Sequence, residues 1–368
     1  MSSNEKEKTQ LVQEQQRDYF AQKYQVIRDL PGLGEATAKS LEALGYTTVK
    51  SIATASLREI MAIEGIGEPT ARKFIEEAGK TLTLKFMFAD DFAEMMGKRE
   101  NLSFGVPLMD ELVDGGLPTN SISELFGEFG SGKSQICHQL AVIAQLPKEK
   151  GGLDCKVLYI DVESVFQPEK IIAIGKRFGV ENPLKGIILA EAHTSDHQCE
   201  LLENAEGVID QYGVRVVIID GVMSHFRSEY IGRENLGTRQ QKLNKHLHRL
   251  VRILRQYNAV GVVTNQVSST PDSFAGYRPK AIGGHILGHK AHTIIFLRKV
   301  GKAGKRLAEI NASPFFAAGT QAPYEIMSDG IHGKELDPDE GLDPLPPMEP
   351  EPEEFNIELD EAEIDLDE

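Results

Sequence analysis

The sequence predicts an α/β protein with a P-loop core on a mainly parallel sheet, a small N-terminal helical unit and a disordered acidic C-terminal tail. Three observations carry that reading. Apolar, β-branched runs alternate with helical stretches, the string GEFGSGKS stands at a strand-to-helix junction, and a glycine-paired hairpin pattern occurs twice near the N-terminus.

The apolar runs fall at 121–126, 157–161, 214–220, 259–264 and 293–297, and helical patterns such as 134–146 and 239–256 separate most of them. Strands that alternate with helices imply βαβ units and a largely parallel sheet. The hairpin pattern, apolar-x-Gly-apolar-Gly followed by an amphipathic helix, places Gly32 and Gly34 in one copy and Gly65 and Gly67 in the other, 33 residues on. Each Gly-x-Gly turn, backed by a helix N-terminus, can offer backbone N–H groups to a DNA phosphate whatever the base sequence. The alternative is a helical module that binds protein. Between this unit and the core, Leu82, Leu84, Phe86 and Phe88 alternate and predict a short strand.

The net charge of −16 is unevenly placed. Residues 335–368 hold 16 Asp and Glu and no Lys or Arg, which leaves 40 acidic and 40 basic residues elsewhere. The acidity belongs to a tail that also has six prolines, and such a composition cannot bury enough apolar surface to order itself. It reads as a solubilising appendage or as an electrostatic competitor for a DNA groove. The expected organisation is a polar segment over 1–24, a helix-hairpin-helix domain over 25–80, a linker over 81–100, a core over 101–333 and the tail over 334–368. Cys137, Cys155 and Cys199 are odd in number and widely spaced, so neither a disulfide framework nor a zinc site is indicated. No run approaches the roughly 20 apolar residues of a membrane span, so no membrane partner is expected and a cytoplasmic location is.

The chemistry centres on GEFGSGKS, which satisfies the G-x-x-x-x-G-K-[ST] phosphate loop in its required strand–loop–helix context. Gly127, Gly130 and Gly132 let backbone N–H groups approach a phosphate, Lys133 reaches β/γ oxygens, and the Ser134 hydroxyl can ligate Mg²⁺. Asp220 ends the apolar run at 214–220, where a carboxylate can hold Mg²⁺ through its water shell. Asp161 and Glu163 follow another strand. Hydrolysis of ATP needs a carboxylate to orient and deprotonate water, and the spacing does not choose between these two. Gln266, at a further strand end, can sense a γ-phosphate or be an ordinary surface residue. A basic run after Asp220 carries Arg227, Arg233, Arg239, Lys242, Lys245, Arg249, Arg252 and Arg255, for which a solvated helix face is the usual explanation.

The stretches FGEFGSGKSQ, HFRSEYIGR, RQQKLNKHLHRL, NAVGVVTNQV and IGGHILGHKAH make the chain resemble the archaeal RadA branch of the RecA family over most of residues 25–332. The resemblance implies a RecA-like core and a DNA-dependent ATPase that uses ATP and Mg²⁺. Such a protein forms a filament or ring with copies of itself on single-stranded DNA and pairs it with double-stranded DNA. Single-strand-binding protein or recombination mediators are further partners it implies. It assigns the nucleotide to Gly127, Glu128, Phe129, Gly130, Ser131, Gly132, Lys133, Ser134 and Gln135, water activation to Glu163, and coupling of nucleotide to DNA to Gln266. Phe86 and Ala89 match the polymerisation element, Arg227, Arg233 and Arg239 the first DNA loop, and Gly283 and Gly284 the end of a second loop over 268–284. His285, His289 and His292, a weak metal signal on their own, then read as interface or DNA-adjacent residues.

The pattern is broken at several places. Gln167 replaces an arginine, Tyr277 and Ala281 replace an aspartate and a proline of the cap over a neighbour's ATP, Ala312 replaces an aspartate, and Gly221 stands where serine is common. ATP binding is expected to survive, with hydrolysis across the interface weakened or differently regulated. The departures keep open an accessory protein that binds ATP and DNA without exchanging strands. A hexameric helicase is disfavoured by the tandem hairpins and the linker motif.

Overall fold

The computed structural model describes residues 26–79, 88–90, 99–232, 234–267, 281–282, 284–300 and 305–334. The expected linker strand up to residue 87, most of the second loop and the acidic tail lie outside the described residues, as do Phe86, Arg233, Tyr277 and Gly283.

Eleven strands are described. β1 (Asn101–Leu102) and β2 (Leu117–Pro118) form a small antiparallel pair. The others are β3 (Ser121–Gly127), β4 (Lys156–Asp161), β5 (Ile187–Glu191), β6 (Val214–Asp220), β7 (Val260–Gln266), β8 (Thr293–Val300), β9 (Lys305–Ala312), β10 (Gln321–Met327) and β11 (Gly330–Gly333). They make one nine-stranded sheet in the order β11-β10-β9-β8-β3-β7-β6-β4-β5. Pairing is parallel from β8 to β5 and antiparallel from β8 to β11. The five apolar runs read from the sequence are β3, β4, β6, β7 and β8.

Helices lie on both faces, which is why the central strands are near-continuous apolar runs. Along β6, Val216 and Ile218 join a core with Ile136 and Leu140, while Val217 and Ile219 join a second core with Leu247 and Leu250. The alternation follows from the two-residue period of a strand. The helices are α1 (Glu35–Ala43), α2 (Val49–Ala53), α3 (Leu57–Met61), α4 (Glu68–Gly79), α5 (Pro107–Leu112), α6 (Lys133–Ile143), α7 (Pro168–Phe178), α8 (Ser195–Glu203), α9 (Ala205–Tyr212), α10 (Ser224–Glu229), α11 (Leu236–Tyr257) and α12 (Gly284–Lys290). Helix α6 serves the first core and α11 the second.

Six of the described strands, β1, β2, β5, β9, β10 and β11, were not evident beforehand. β5 is an edge strand with no fully buried residue, β9 carries Lys305, Arg306 and Glu309, and β10 contains Pro323, which argues against a strand on sequence alone. β9 pairs with the edge that β8 offers, with β10 and β11 following it, and β5 pairs with β4 at the opposite edge.

Helices α1–α4 enclose their own core of Ile27, Leu41, Ile52, Ile60 and Phe74, all essentially inaccessible. A capping box starts α3, with the Glu59 amide donating to Ser56 Oγ (3.2 Å) and the Ser56 amide to Glu59 Oε2 (2.8 Å). The module rests on α8 and α11 so closely that a Cβ at Gly45 would lie 2.0 Å from the Glu203 carbonyl oxygen. Arg249 spans this seam, donating to the carbonyls of Gly45 (3.2 Å) and Glu203 (3.1 Å) and pairing with Glu206 at 2.9 Å. The helix α11 basic run is therefore only partly a solvated face: Arg249 is 8% exposed, and Arg252 donates to the Thr54 carbonyl.

Candidate nucleotide-binding site

Parallel registration brings four strand ends to one edge of the sheet. Gly127 pairs with Gln266 across β3 and β7, and Asp161 pairs with Asp220 across β4 and β6. Ligands of open α/β sheets bind outside these carboxyl ends.

The phosphate loop joins β3 to α6 with Gly130 at φ 75° and Gly132 at φ 106°, both in the left-handed region that favours glycine. At Gly127 the requirement is space, because a Cβ would sit 2.1 Å from the Leu297 carbonyl oxygen on β8. The antiparallel end of the sheet braces the loop. Tyr324 on β10 donates to the Ser131 carbonyl (2.7 Å), and Arg306 on β9 donates through Nε and Nη2 to the Gly130 carbonyl (3.2 Å each). Ser131 is buried, Glu128, Phe129 and Gly130 are exposed at the tip, and Gln135 is half-buried in the first turn of α6.

Lys133 folds back, with Nζ donating to the carbonyls of Gly127 (2.8 Å) and Glu128 (3.0 Å). Burial lowers its pKa, against the pull of Glu163 and Asp220. Asp220 is 1% exposed and accepts from Thr264 Oγ1 (2.6 Å), Tyr159 Oη (2.7 Å) and the Ser134 hydroxyl. Burial raises its pKa, the three hydrogen bonds oppose the rise, and the neighbouring Asp161 charge adds to it. Ser134 and Asp220 thus form a pair of hard oxygen donors at the start of α6, a set suited to Mg²⁺. The Lys133 bonds to loop carbonyls are ones that a phosphate can replace.

The two carboxylates left open by the spacing are separated by their partners. Asp161 is buried, and its two oxygens accept from the amides of Glu163 (3.2 Å) and Phe166 (2.8 Å), tying the turn after β4. Glu163 is only half-buried, and its Oε1 accepts from Gln266 Nε2 (2.8 Å) and Ser224 Oγ (2.6 Å). Geometry therefore favours Glu163 as the carboxylate available to the site. Ser224 had no distinguishing local signal, because it meets Glu163 only through the pairing of β6 with β4, whose ends lead to these two residues.

Of the residues assigned to DNA, Arg227 is exposed on α10 and Arg239 is half-buried near the start of α11, flanking the 230–235 segment. Gly284 opens α12. The two ends of the second loop are held together, with Val267 bridging Ala281 and the Ile282 amide donating to the Gln266 carbonyl at 3.0 Å. Asn265 Nδ2 also donates to the Ile282 carbonyl, and it reaches Glu124 Oε1 at 2.8 Å. Burial pushes the Glu124 carboxyl up to about 7, against the Asn265 hydrogen bond. In the helical module, Gly32 and Gly65 have φ of 86° and 84°, and the carbonyls of Gly34 and Gly67 accept from Ala38 (2.9 Å) and Ala71 (3.0 Å). The two hairpins share one geometry, and their glycines are exposed. Each following helix opens with a glutamate, Glu35 or Glu68, paired four residues on with Lys39 or Arg72.

Ala89 is exposed, beside an 80% exposed Phe88. Ala312 ends β9 exposed, and Gln167 is exposed as the residue before α7. His292 Nδ1 accepts from the Ile122 amide (3.2 Å) and its ring lies parallel to that of Phe315, a packing role. His289 is exposed on α12, and the side chain of His285 lies outside the described residues.

Among the described residues no helix is long and apolar enough to cross a membrane. A family model described as Rad51 matches residues 98–334, well over half of the chain, and one described as a SAM-like helix-hairpin-helix tandem matches residues 25–80.

Proposed function

The chain belongs to the Rad51 family of RecA-type recombinases, and on that footing we propose that it is a DNA-dependent ATPase of the archaeal RadA type. It polymerises on single-stranded DNA with ATP between subunits and exchanges that strand with a homologous duplex. The observation that carries the reading is the convergence of Lys133, Ser134, Asp220, Glu163 and Gln266 at one sheet edge, with the bases of both candidate DNA loops bonded to it.

In this reading the loop amides of 127–134 and Lys133 hold the β- and γ-phosphates. Ser134 and Asp220 would hold Mg²⁺. The metal, when bound, neutralises charge developing on the phosphates. Glu163 orients the attacking water and takes its proton. Gln266 exchanges its hydrogen bond with Glu163 for one to the γ-phosphate and moves the second loop with it. Arg227, Arg233 and Arg239 neutralise backbone phosphates, which makes binding salt-sensitive and indifferent to sequence. Phe86 and Ala89 enter a neighbouring core, and the paired hairpins hold duplex phosphates.

A second reading, an accessory protein that binds ATP and DNA without exchanging strands, draws support from Ala312. Its exposed methyl at the end of β9 stands where the family pattern has a carboxylate. One strand-exchange assay with wild type, Lys133→Ala and Phe86→Glu separates the two. Exchange by wild type that is lost in both variants supports the recombinase. Absence of exchange by wild type, with stimulation of another recombinase, supports the accessory role.

A further inference from the structure

The Glu163 carboxylate rests on two arms, only one of which, Gln266, belongs to the reading above. The other is Ser224, whose Oγ donates to the same Oε1 at 2.6 Å. Ser224 is the first residue of α10, a helix of six residues that ends at Glu229 and leads straight into the segment between Arg227 and Arg239. The far end of α10 is itself tied down. Glu229 accepts from the Ser195 amide (2.7 Å) and from the Ser195 hydroxyl, while Lys242 Nζ donates to Ser195 Oγ and to Tyr230 Oη (2.9 Å each). Between the two ends, Phe226 is fully buried, and the His225 ring bonds the Ala192 carbonyl at 2.7 Å. So short a helix, about 9 Å long, links Glu163 at its first residue to the 230–235 segment just past its last.

The position that Glu163 takes also depends on a missing side chain. Gly221 has φ 97°, and a Cβ there would stand 2.5 Å from Glu163 Cγ and 3.0 Å from its Cδ. The glutamate occupies the space this glycine leaves. That ties the substitution of glycine for the serine common at this place to the reacting carboxylate.

We propose that Ser224 is a positioning residue that holds Glu163 in the recess beside Gly221 until the first DNA loop is engaged. DNA on the 227–239 segment tilts α10, breaks the Ser224–Glu163 hydrogen bond and frees the carboxylate to face the attacking water. Gln266 supplies the matching arm from the second loop, so a carboxylate bonded to both loops reports on both. This rests on the assignment of Glu163 to water activation.

The test compares wild type with Ser224→Ala and Ser224→Thr in ATP turnover with and without single-stranded DNA. Loss of one charge-assisted hydrogen bond corresponds to about a tenfold change in an equilibrium. Ser224→Ala is therefore expected to raise the DNA-free kcat about tenfold with KM unchanged, collapsing the stimulation by DNA. Ser224→Thr, which keeps the hydroxyl, retains the wild-type ratio. Gly221→Ala, which evicts Glu163 from its recess, is expected to resemble Ser224→Ala.

The chain has no tryptophan, so a single Ile231→Trp in the exposed loop gives a readout apart from turnover. Its fluorescence should respond to a non-hydrolysable ATP analogue, and should cease to do so once Ser224→Ala is added. A DNA-free kcat that is unchanged or lower in Ser224→Ala, while wild type is stimulated by DNA, overturns this inference and leaves the ATPase reading standing. A wild type with no DNA-stimulated turnover at all overturns both.

Discussion

At the strand ends, Lys133 spends its donors on two loop carbonyls, and Glu163 rests on Ser224 and Gln266. At the seam between the helical module and the core, Arg249 is bonded to two carbonyls and a buried carboxylate and lies over the ring of Tyr46. Both regions bury charge, but the first does so with bonds that a phosphate or a moving loop can replace, and the second with bonds that only separation of the module would break. A cavity of about 280 Å³ runs along the seam, yet its basic lining is matched by Asp196, Glu203 and Glu59, so it is not a second phosphate site. Charge that awaits a ligand is distinguished by exchangeable partners, not by burial.

The contrast is sharpest in Lys133→Ala. ATP turnover should fall by about a thousandfold or more, while the urea midpoint stays close to that of wild type. A large loss of stability would mean that the loop lysine is part of the scaffold, and the contrast would fail.

Arg249→Ala should do the reverse. Leaving Glu206 buried beside a hole costs about 3–5 kcal/mol, read as early unfolding of the module in urea, with DNA-free ATP turnover in the core little changed. The double change Arg249→Met with Glu206→Leu should recover most of that loss, since apolar packing replaces the pair.

A third comparison uses pH. The buried Glu124 carboxyl, at about 7 in the fold, keeps its proton where the unfolded chain has lost it at its ordinary 4.5. Its contribution is fully present below pH 4.5 and disappears as pH rises to 7, a slope worth up to about 3 kcal/mol. Glu124→Gln keeps the Asn265 acceptor and should flatten that slope. His246, under the seam, is lowered by burial to about 4, so it opposes the first trend, and stability is lost as pH falls from 6.5 to 4. Urea melts of Glu124→Gln and His246→Gln should show their slopes changing in opposite directions.

The smallest effect belongs to the hairpin helices. Lys39 and Arg72 are exposed partners of Glu35 and Glu68, and replacing either with alanine should shift stability by only about 0.3 kcal/mol. A salt-dependent loss of duplex DNA binding in the same variants would show that these cations serve the hairpins instead of the helices.

Much of the site was legible without coordinates. The phosphate loop, Asp220 and Gln266 stand out because a glycine-rich turn or a polar residue ends an apolar run, and both signals are local. Asp161 and Glu163 could not be separated that way, since they are two residues apart on the same turn and differ only in what each one touches. The burial of Arg249 inside a run of exposed cations was equally hidden, because a helix shows which residues share a face but not what covers it.

By itself, then, the sequence determined the alternation of strand and helix, the phosphate loop, the tandem hairpins and the neutral body with an acidic tail. All of these are properties of neighbours along the chain. The tertiary structure alone decided what Asp161 and Glu163 each touch, that Ser224 and Gly221 border Glu163, and that β9 and β10 brace the loop. The deciding contacts join residues 61 positions apart for Ser224 and Glu163, 103 for Gln266 and Glu163, and 204 for Arg249 and Gly45. Periodicity carries no information over such separations, and only the packing of the sheet and its helices brings these groups together.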